Sequence, residues 1–231
     1  IKKSRLKNVV VDPVVLASSG KRLLTRGGVE ALKKHLLPLA SLVTPNIKEA
    51  ELLSGVKIKS QSDRKKAARA ILKTGVRAVL ITGGHLKGSP EDLLLDDKGV
   101  QLFSSERLSK TDMHGTGCVF SAAIAASLAK GAPLRDAIEN AKEYIGQTIV
   151  GGVASGNGTP CVEPFASMYR ESEKQQCLGD LEDALELFTK ERIGNLVPEV
   201  QTNIGLGLSN AKRHEDVLAI PGRVIKNGED I

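Results

Sequence analysis

The sequence has 231 residues, 41% hydrophobic and 26% charged, which fits a water-soluble chain of one large domain or one and a half ordinary ones. No stretch approaches the roughly 18 unbroken apolar residues of a membrane span, and three cysteines without C-x-x-C spacing (Cys118, Cys161, Cys177) exclude a disulfide scaffold and a structural zinc site. Aromatics at 3% with no tryptophan exclude stacking-based single-strand nucleic-acid binding, and the net charge of +6 is scattered, with only Lys2, Lys3, Arg5 and Lys7 forming a short cluster.

The chain opens at Ile1 and reaches a strand pattern almost at once, which suggests a fragment, a processed product or an engineered start. Asn8 to Val11 is an apolar, β-branched run stopped by Asp12-Pro13 and reads as a buried strand. A helical stretch around Gly28 to Leu37 precedes a second strand, Leu39 to Val43. Thr44-Pro45 supplies an N-cap and a first-turn proline for a helix that ends at Gly55. The next helix runs from near Ser62 to Gly75, and Arg77 to Thr82 is a strand broken by Gly83-Gly84. Leu93 to Leu95 and Val100 to Phe103, split by Asp96-Asp97-Lys98-Gly99, form a hairpin.

Gly115-Thr116-Gly117 then leads into a small-residue helix from Cys118 to Ala129, and a further helix spans Leu134 to Val150. Strands alternating with helices indicate a mostly parallel sheet covered on both faces. Gly151 to Pro164 is rich in Gly, Pro and Ser, and the polar stretch Glu171 to Gln176 reads as a linker. Beyond it, Asp180 caps a helix with Leu181, Ala184, Leu185 and Phe188 on one face, and Pro198 to Gly207 reads as a loop.

Four places can carry chemistry. In His114-Gly115-Thr116-Gly117-Cys118, two glycines admit a close ligand and the following helix presents its first N–H groups, which suits a phosphate. The same helix field would lower the Cys118 thiol pKa and make it a proton acceptor; a tight loop with a small cysteine packed beneath is the plain alternative. Asn46-Ile47-Lys48-Glu49 matches a helix capping pattern, and Glu49 could also hold a hydrated Mg²⁺. Asp12 ends a strand, where open α/β sheets gather ligands, though taken alone a plain Asp-Pro turn explains it better. Thr82-Gly83-Gly84-His85 ends another strand, as a glycine turn or with His85 as a catalytic group. Neither a Walker-type phosphate loop nor the dinucleotide glycine pattern is present.

Taken in order, Asp12-Pro13-Val14, Thr44-Pro45-Asn46-x-x-Glu49-Ala50, Gly83-Gly84-His85 and His114-Gly115-Thr116-Gly117-Cys118 resemble the hydroxymethylpyrimidine/phosphomethylpyrimidine kinases of thiamine biosynthesis, within the ribokinase-like superfamily. The resemblance covers roughly Asn8 to Phe165. It implies ATP and Mg²⁺ as cofactors, and phosphorylation of the pyrimidine alcohol and then of its monophosphate. Gly115, Gly117 and Cys118 match the family's anion hole, and Cys118 stands where the wider superfamily places an aspartate base. Asp12 and Glu49 match acidic positions near the metal and phosphates, with Asn46 completing the motif. Thr82 stands where some relatives have a phosphate-binding lysine; that departure leaves Lys110 as the candidate cation.

A second resemblance follows. Leu196-Val197-Pro198-Glu199-Val200-Gln201-Thr202-Asn203-Ile204-Gly205, Glu215-Asp216-Val217 and Pro221-Gly222-Arg223-Val224 are similar to the start of the thiamine-phosphate synthase domain ThiN. That domain joins the pyrimidine diphosphate to the thiazole phosphate; Arg223 matches a phosphate-facing arginine, or is a surface residue of a Pro-Gly turn.

The expected architecture is therefore α/β: an incomplete ribokinase-like sheet flanked by helices, truncated at its N-terminus, followed by a partial second α/β domain. The expected divisions are residues 1–170 for the kinase portion, 171–178 for the linker and 179–231 for the synthase start. Expected partners are small-molecule substrates in the cytoplasm, with no nucleic acid and no membrane, and a homo-oligomer left open. The alternatives are a pyridoxal kinase of the same superfamily and a non-catalytic thiamine-phosphate sensor.

Overall fold

Short strands, with Leu42–Val43 and Val79–Ile81 at the centre fully buried, set the architecture. The structure, a computed structural model, describes residues 1, 3–4, 6–17, 20–83, 90–105, 108, 113–154, 156, 158–190, 204–209, 211 and 214–220. Gly84, His85, Lys110 and Arg223 lie outside the described residues, as does most of the Leu196 to Gly205 motif.

The first unit, Ile1–Pro164, is built on one five-stranded sheet in the order β1-β2-β3-β4-β5. Strands β1 (Val10–Val11), β2 (Leu42–Val43) and β3 (Val79–Ile81) are parallel, and β4 (Glu91–Asp96) and β5 (Gly99–Ser104) add an antiparallel hairpin. The period of two is explicit in the packing. Val79, Ile81, Leu93 and Leu95 enter one core, with Val29 of α1 (Arg26–Ala31), Ala50 and Leu53 of α2 (Ile47–Ser54), and Ala67, Ala68 and Ile71 of α3 (Gln61–Leu72). Leu80, Leu94 and Phe103 enter the other, against Phe120, Ile124 and Leu128 of α4 (Thr116–Ala129) and Ala137, Ile138 and Ala141 of α5 (Leu134–Val150). The sheet is thus covered on both faces.

Three local expectations are corrected. The helix around Gly28 begins earlier, at Arg26, and passes through a π turn (Leu32–Leu36) and a 3-10 turn (Leu37–Leu39) before a strand shorter than expected. Pro38 lies in the 3-10 turn and has no N–H for a ladder bond. The helix after β2 is capped by Asn46 rather than Thr44, whose hydroxyl is engaged elsewhere.

The second unit is Phe165–Ile231. Its helix α6 (Ala166–Lys190) runs without a break through the stretch expected to be a linker at 171–178, so the compact units divide at Pro164/Phe165. Glu, Lys and Gln are strong helix formers, and Lys174 pairs with Glu171 at 2.8 Å one turn away, so polarity alone did not mark a linker. Gly205–Gly207 is not loop but strand β6, paired antiparallel with β7 (Val217–Ala219). Arg170 forms an ion pair with Asp216, and the Ser209 N–H donates to Glu173 at 2.5 Å, joining helix and hairpin. No helix among the described residues is long and apolar enough to cross a membrane.

Candidate active site

Parallel strands place their carboxyl ends on one edge, and β1, β2 and β3 deliver Asp12, Thr44 and Thr82 there. Pro13 stops the β1 ladder because it has no N–H to offer. The half-buried Asp12 carboxylate then stands beside the thiol of Cys118. Val14 has φ +33°, in the left-handed region, which strains a β-branched residue. The hydrogen bond that follows it holds it: Val15 N–H donates to Glu49 Oε1 at 3.0 Å.

Glu49 closes a capping box at the start of α2. Its backbone N–H donates to Asn46 Oδ1 and its Oε2 accepts the Asn46 N–H, both at 3.0 Å. With Oε1 taken by Val15, this carboxylate is 3% exposed and ties the loop after β1 to the start of α2. Burial pushes the Glu49 carboxyl above its ordinary pKa; the amides of Asn46 and Val15 oppose the shift, and the charge of Asp12 adds to it. The Asp12 carboxyl is likewise raised, chiefly by burial, while the Cys118 and Val14 hydrogen bonds hold it down.

The start of α4 meets this pair. Gly115 adopts φ +89° before the helix, and the entry is pinned by His114 N–H to Pro160 O at 2.7 Å and Val162 N–H to His114 O at 3.1 Å. No side chain caps the helix, and its first internal bond is Val119 N–H to Gly115 O at 2.9 Å. The amides of Thr116, Gly117 and Cys118 therefore precede the internal ladder. A Cβ on Gly117 would meet open space, so packing does not demand glycine there; a ligand pressed against the backbone would.

Cys118 is exposed in this first turn, and its thiol pKa is raised, not lowered as expected. Desolvation is the largest cause, followed by the charge and hydrogen bond of Asp12 and the charge of Glu49. A helix terminus contributes about half a unit charge, and here it faces two full carboxylates. The thiol stands beside the Asp12 carboxylate.

Thr82 joins the same edge: its N–H donates to Pro45 O at 2.9 Å and it bridges to Asn46. The following residue, Gly83, is held by groups the sequence did not reveal. Its N–H donates to Asp92 Oδ1 at 2.9 Å, and Asp92 Oδ2 pairs with Lys142 Nζ at 2.5 Å. A Cβ at Gly83 would stand 2.0 Å from the Glu91 carbonyl oxygen, so only glycine fits. Arg64 binds that same carbonyl at 2.9 Å and the Glu91 carboxylate at 2.6 Å. Two acidic residues heading the apolar β4 were the available signal for this cluster.

The structure thus brings together Asp12, Asn46, Glu49, Thr82, Gly115, Gly117 and Cys118. Among the described residues no group of three or more His, Cys, Asp and Glu side chains could hold a metal ion. Asp12 and Glu49 do offer the hard oxygens that Mg²⁺ takes, and both carboxyls are raised in pKa, so a cation there would relieve mutual repulsion. A cavity of about 400 Å³ lies elsewhere, between Leu102 to Ser105 and the Glu139, Lys142 and Glu143 stretch of α5.

An open α/β sheet with an uncapped helix N-terminus facing strand-end carboxylates is the architecture of a phosphate-handling enzyme. Residues 1–163 match the family model of phosphomethylpyrimidine kinase, and the chain belongs to that family. Residues 180–231 match the model of thiamine-phosphate synthase ThiN. The chain is 49% identical over 142 residues to the thiamine biosynthesis bifunctional protein ThiED of Geobacter sulfurreducens, covering 61% of this chain and 29% of that protein. It is 48% identical to the hydroxymethylpyrimidine/phosphomethylpyrimidine kinase of Rhizobium meliloti, covering 60% of this chain and 53% of the relative. The chain therefore spans about half the length of that kinase, and less of the bifunctional protein. In structure it is similar to an ADP complex of Bacillus subtilis pyridoxal kinase, with TM-score 0.67 and 38% identity over 73% of this chain and 64% of that one.

Proposed function

We propose that the protein containing this chain phosphorylates hydroxymethylpyrimidine and its monophosphate from ATP, yielding the diphosphate for thiamine biosynthesis in the cytoplasm. The observation that carries the reading is the uncapped start of α4, with Cys118 beside the Asp12 carboxylate. The amides of Gly115, Gly117 and Cys118 receive the charge on the transferred phosphoryl group. The substrate hydroxyl faces Cys118, which is the candidate to take its proton. Asp12, with Glu49 behind it, would hold Mg²⁺, which neutralises phosphate charge when bound. Asn46 and Thr82 face the phosphates. Lys110 and Arg223 are phosphate contacts on sequence grounds, the latter in the ThiN segment, whose resemblance supports coupling to thiamine-phosphate synthesis.

The test is turnover of the full-length protein with Mg²⁺ and ATP on hydroxymethylpyrimidine and on pyridoxal, side by side. The expected result is a higher kcat/KM for the pyrimidine. The likeness to the Bacillus pyridoxal kinase favours a second reading, and a higher kcat/KM for pyridoxal would replace the first by it. Absence of transfer to either alcohol would remove both.

A further inference from the structure

Two hydroxyls are buried where apolar residues would pack as well. Ser121 is 7% exposed on the face of α4 that carries Phe120 and Ile124, and Thr44 is 4% exposed just after β2. Their oxygens lie 2.9 Å apart. Ser121 Oγ also contacts the Gly117 carbonyl oxygen at 2.8 Å, and Thr44 Oγ1 contacts the Val11 carbonyl oxygen at a longer 3.4 Å.

Each hydroxyl has one proton to donate. The Thr44 hydroxyl lies 3.4 Å from the Val11 carbonyl oxygen but 2.9 Å from Ser121 Oγ, so the shorter contact claims its proton. The two short contacts are both satisfied in one arrangement, in which Thr44 donates to Ser121 and Ser121 donates to the Gly117 carbonyl. That carbonyl belongs to the same peptide unit as the Cys118 N–H. A hydrogen bond accepted at the oxygen polarises the peptide and makes its N–H a stronger donor, by about 10–30% per bond in a chain.

We propose that Thr44 and Ser121 form a buried hydroxyl relay that polarises the Gly117–Cys118 peptide and strengthens the Cys118 amide as a donor to the phosphoryl group. Both are positioning residues, since neither reaches the ligand. The inference rests on the reading of the α4 start as a phosphoryl cradle. It also explains why β2 ends in a buried threonine directly beside the β1 end, which carries Asp12: one hydrogen-bond chain aligns the amides with that carboxylate.

The experiment uses the full-length protein, ¹⁵N-labelled, with the Cys118 amide resonance as the direct reporter and steady-state kinetics beside it. Ser121→Ala should move that resonance upfield and lower kcat roughly ten-fold, with KM for ATP within about two-fold, because donor strength counts most when charge develops. Thr44→Val, which removes only the upstream donor, should give a smaller shift in the same direction, and Thr44→Ser should restore both readouts. An unmoved Cys118 amide in Ser121→Ala overturns the relay, as does a Thr44→Ser variant as impaired as Thr44→Val. If Ser121→Ala does not fold, the Thr44 pair decides alone. Should the wild type transfer no phosphate, the kinase reading fails while the resonance still judges the relay.

Discussion

Two buried carboxylate clusters sit at strand ends of the first unit, and they are compensated in opposite ways. Asp92 meets the ammonium of Lys142 and the amide of Gly83, and its neighbour Glu91 meets the guanidinium of Arg64. Asp12 and Glu49 meet no cation among the described residues; they face backbone amides, one thiol and each other. A buried charge without a counter-ion costs stability unless something else uses it. The difference teaches which cluster holds the fold together and which is kept in a costly state for a ligand or a proton. Cationic partners mark the structural one.

The comparison can be broken most severely at the uncompensated cluster. Asp12→Asn and Cys118→Ala should each lower kinase turnover by about 10²–10⁴-fold, measured by coupled ADP release in the full-length protein. An undiminished rate in either variant removes that residue from the mechanism. At the compensated cluster the largest effect is on stability. Asp92→Ala strands the Lys142 charge and the Gly83 amide, and should cost about 3–5 kcal/mol in urea unfolding; adding Lys142→Met should recover part of that loss.

Asp12→Asn should shift stability the other way. The folded chain holds the Asp12 proton more tightly than the unfolded chain, so the wild type loses stability as pH rises through the carboxylate range. The variant should therefore melt higher than the wild type at pH 7, and the gain should vanish below about pH 4. A variant melting lower at pH 7 would show that Asp12 is structurally compensated after all. The smallest expected effect belongs to Asn46→Ala, which opens the capping box and should cost about 1 kcal/mol by urea titration.

Much of this was legible in the chain itself. The capping pattern at Asn46 and Glu49, the hairpin around Asp96 to Gly99 and the glycines before α4 are local signals spanning a few residues. The Thr44 cap was misread because two competent capping residues stand two positions apart, and the Thr44 hydroxyl is claimed by Ser121, 77 residues away. The polar stretch at 171–178 misled for a different reason, since solvent-facing helix and linker share a composition. The direction of the Cys118 shift was misjudged because the helix field is visible in sequence and the facing carboxylates are not.

Composition, strand–helix alternation and motif order by themselves determined the α/β class, the order of the elements and the family to which the chain belongs. All of these rest on residues near one another in the chain, where backbone sterics and periodicity operate. Only the tertiary structure decided that Glu49 clasps the loop after β1, that Lys142 neutralises Asp92 across 50 residues, and that the Cys118 thiol meets the charge of Asp12. The physical reason is electrostatic: the protonation and donor strength of a group depend on what burial places within a few ångströms of it, and folding alone sets those neighbours.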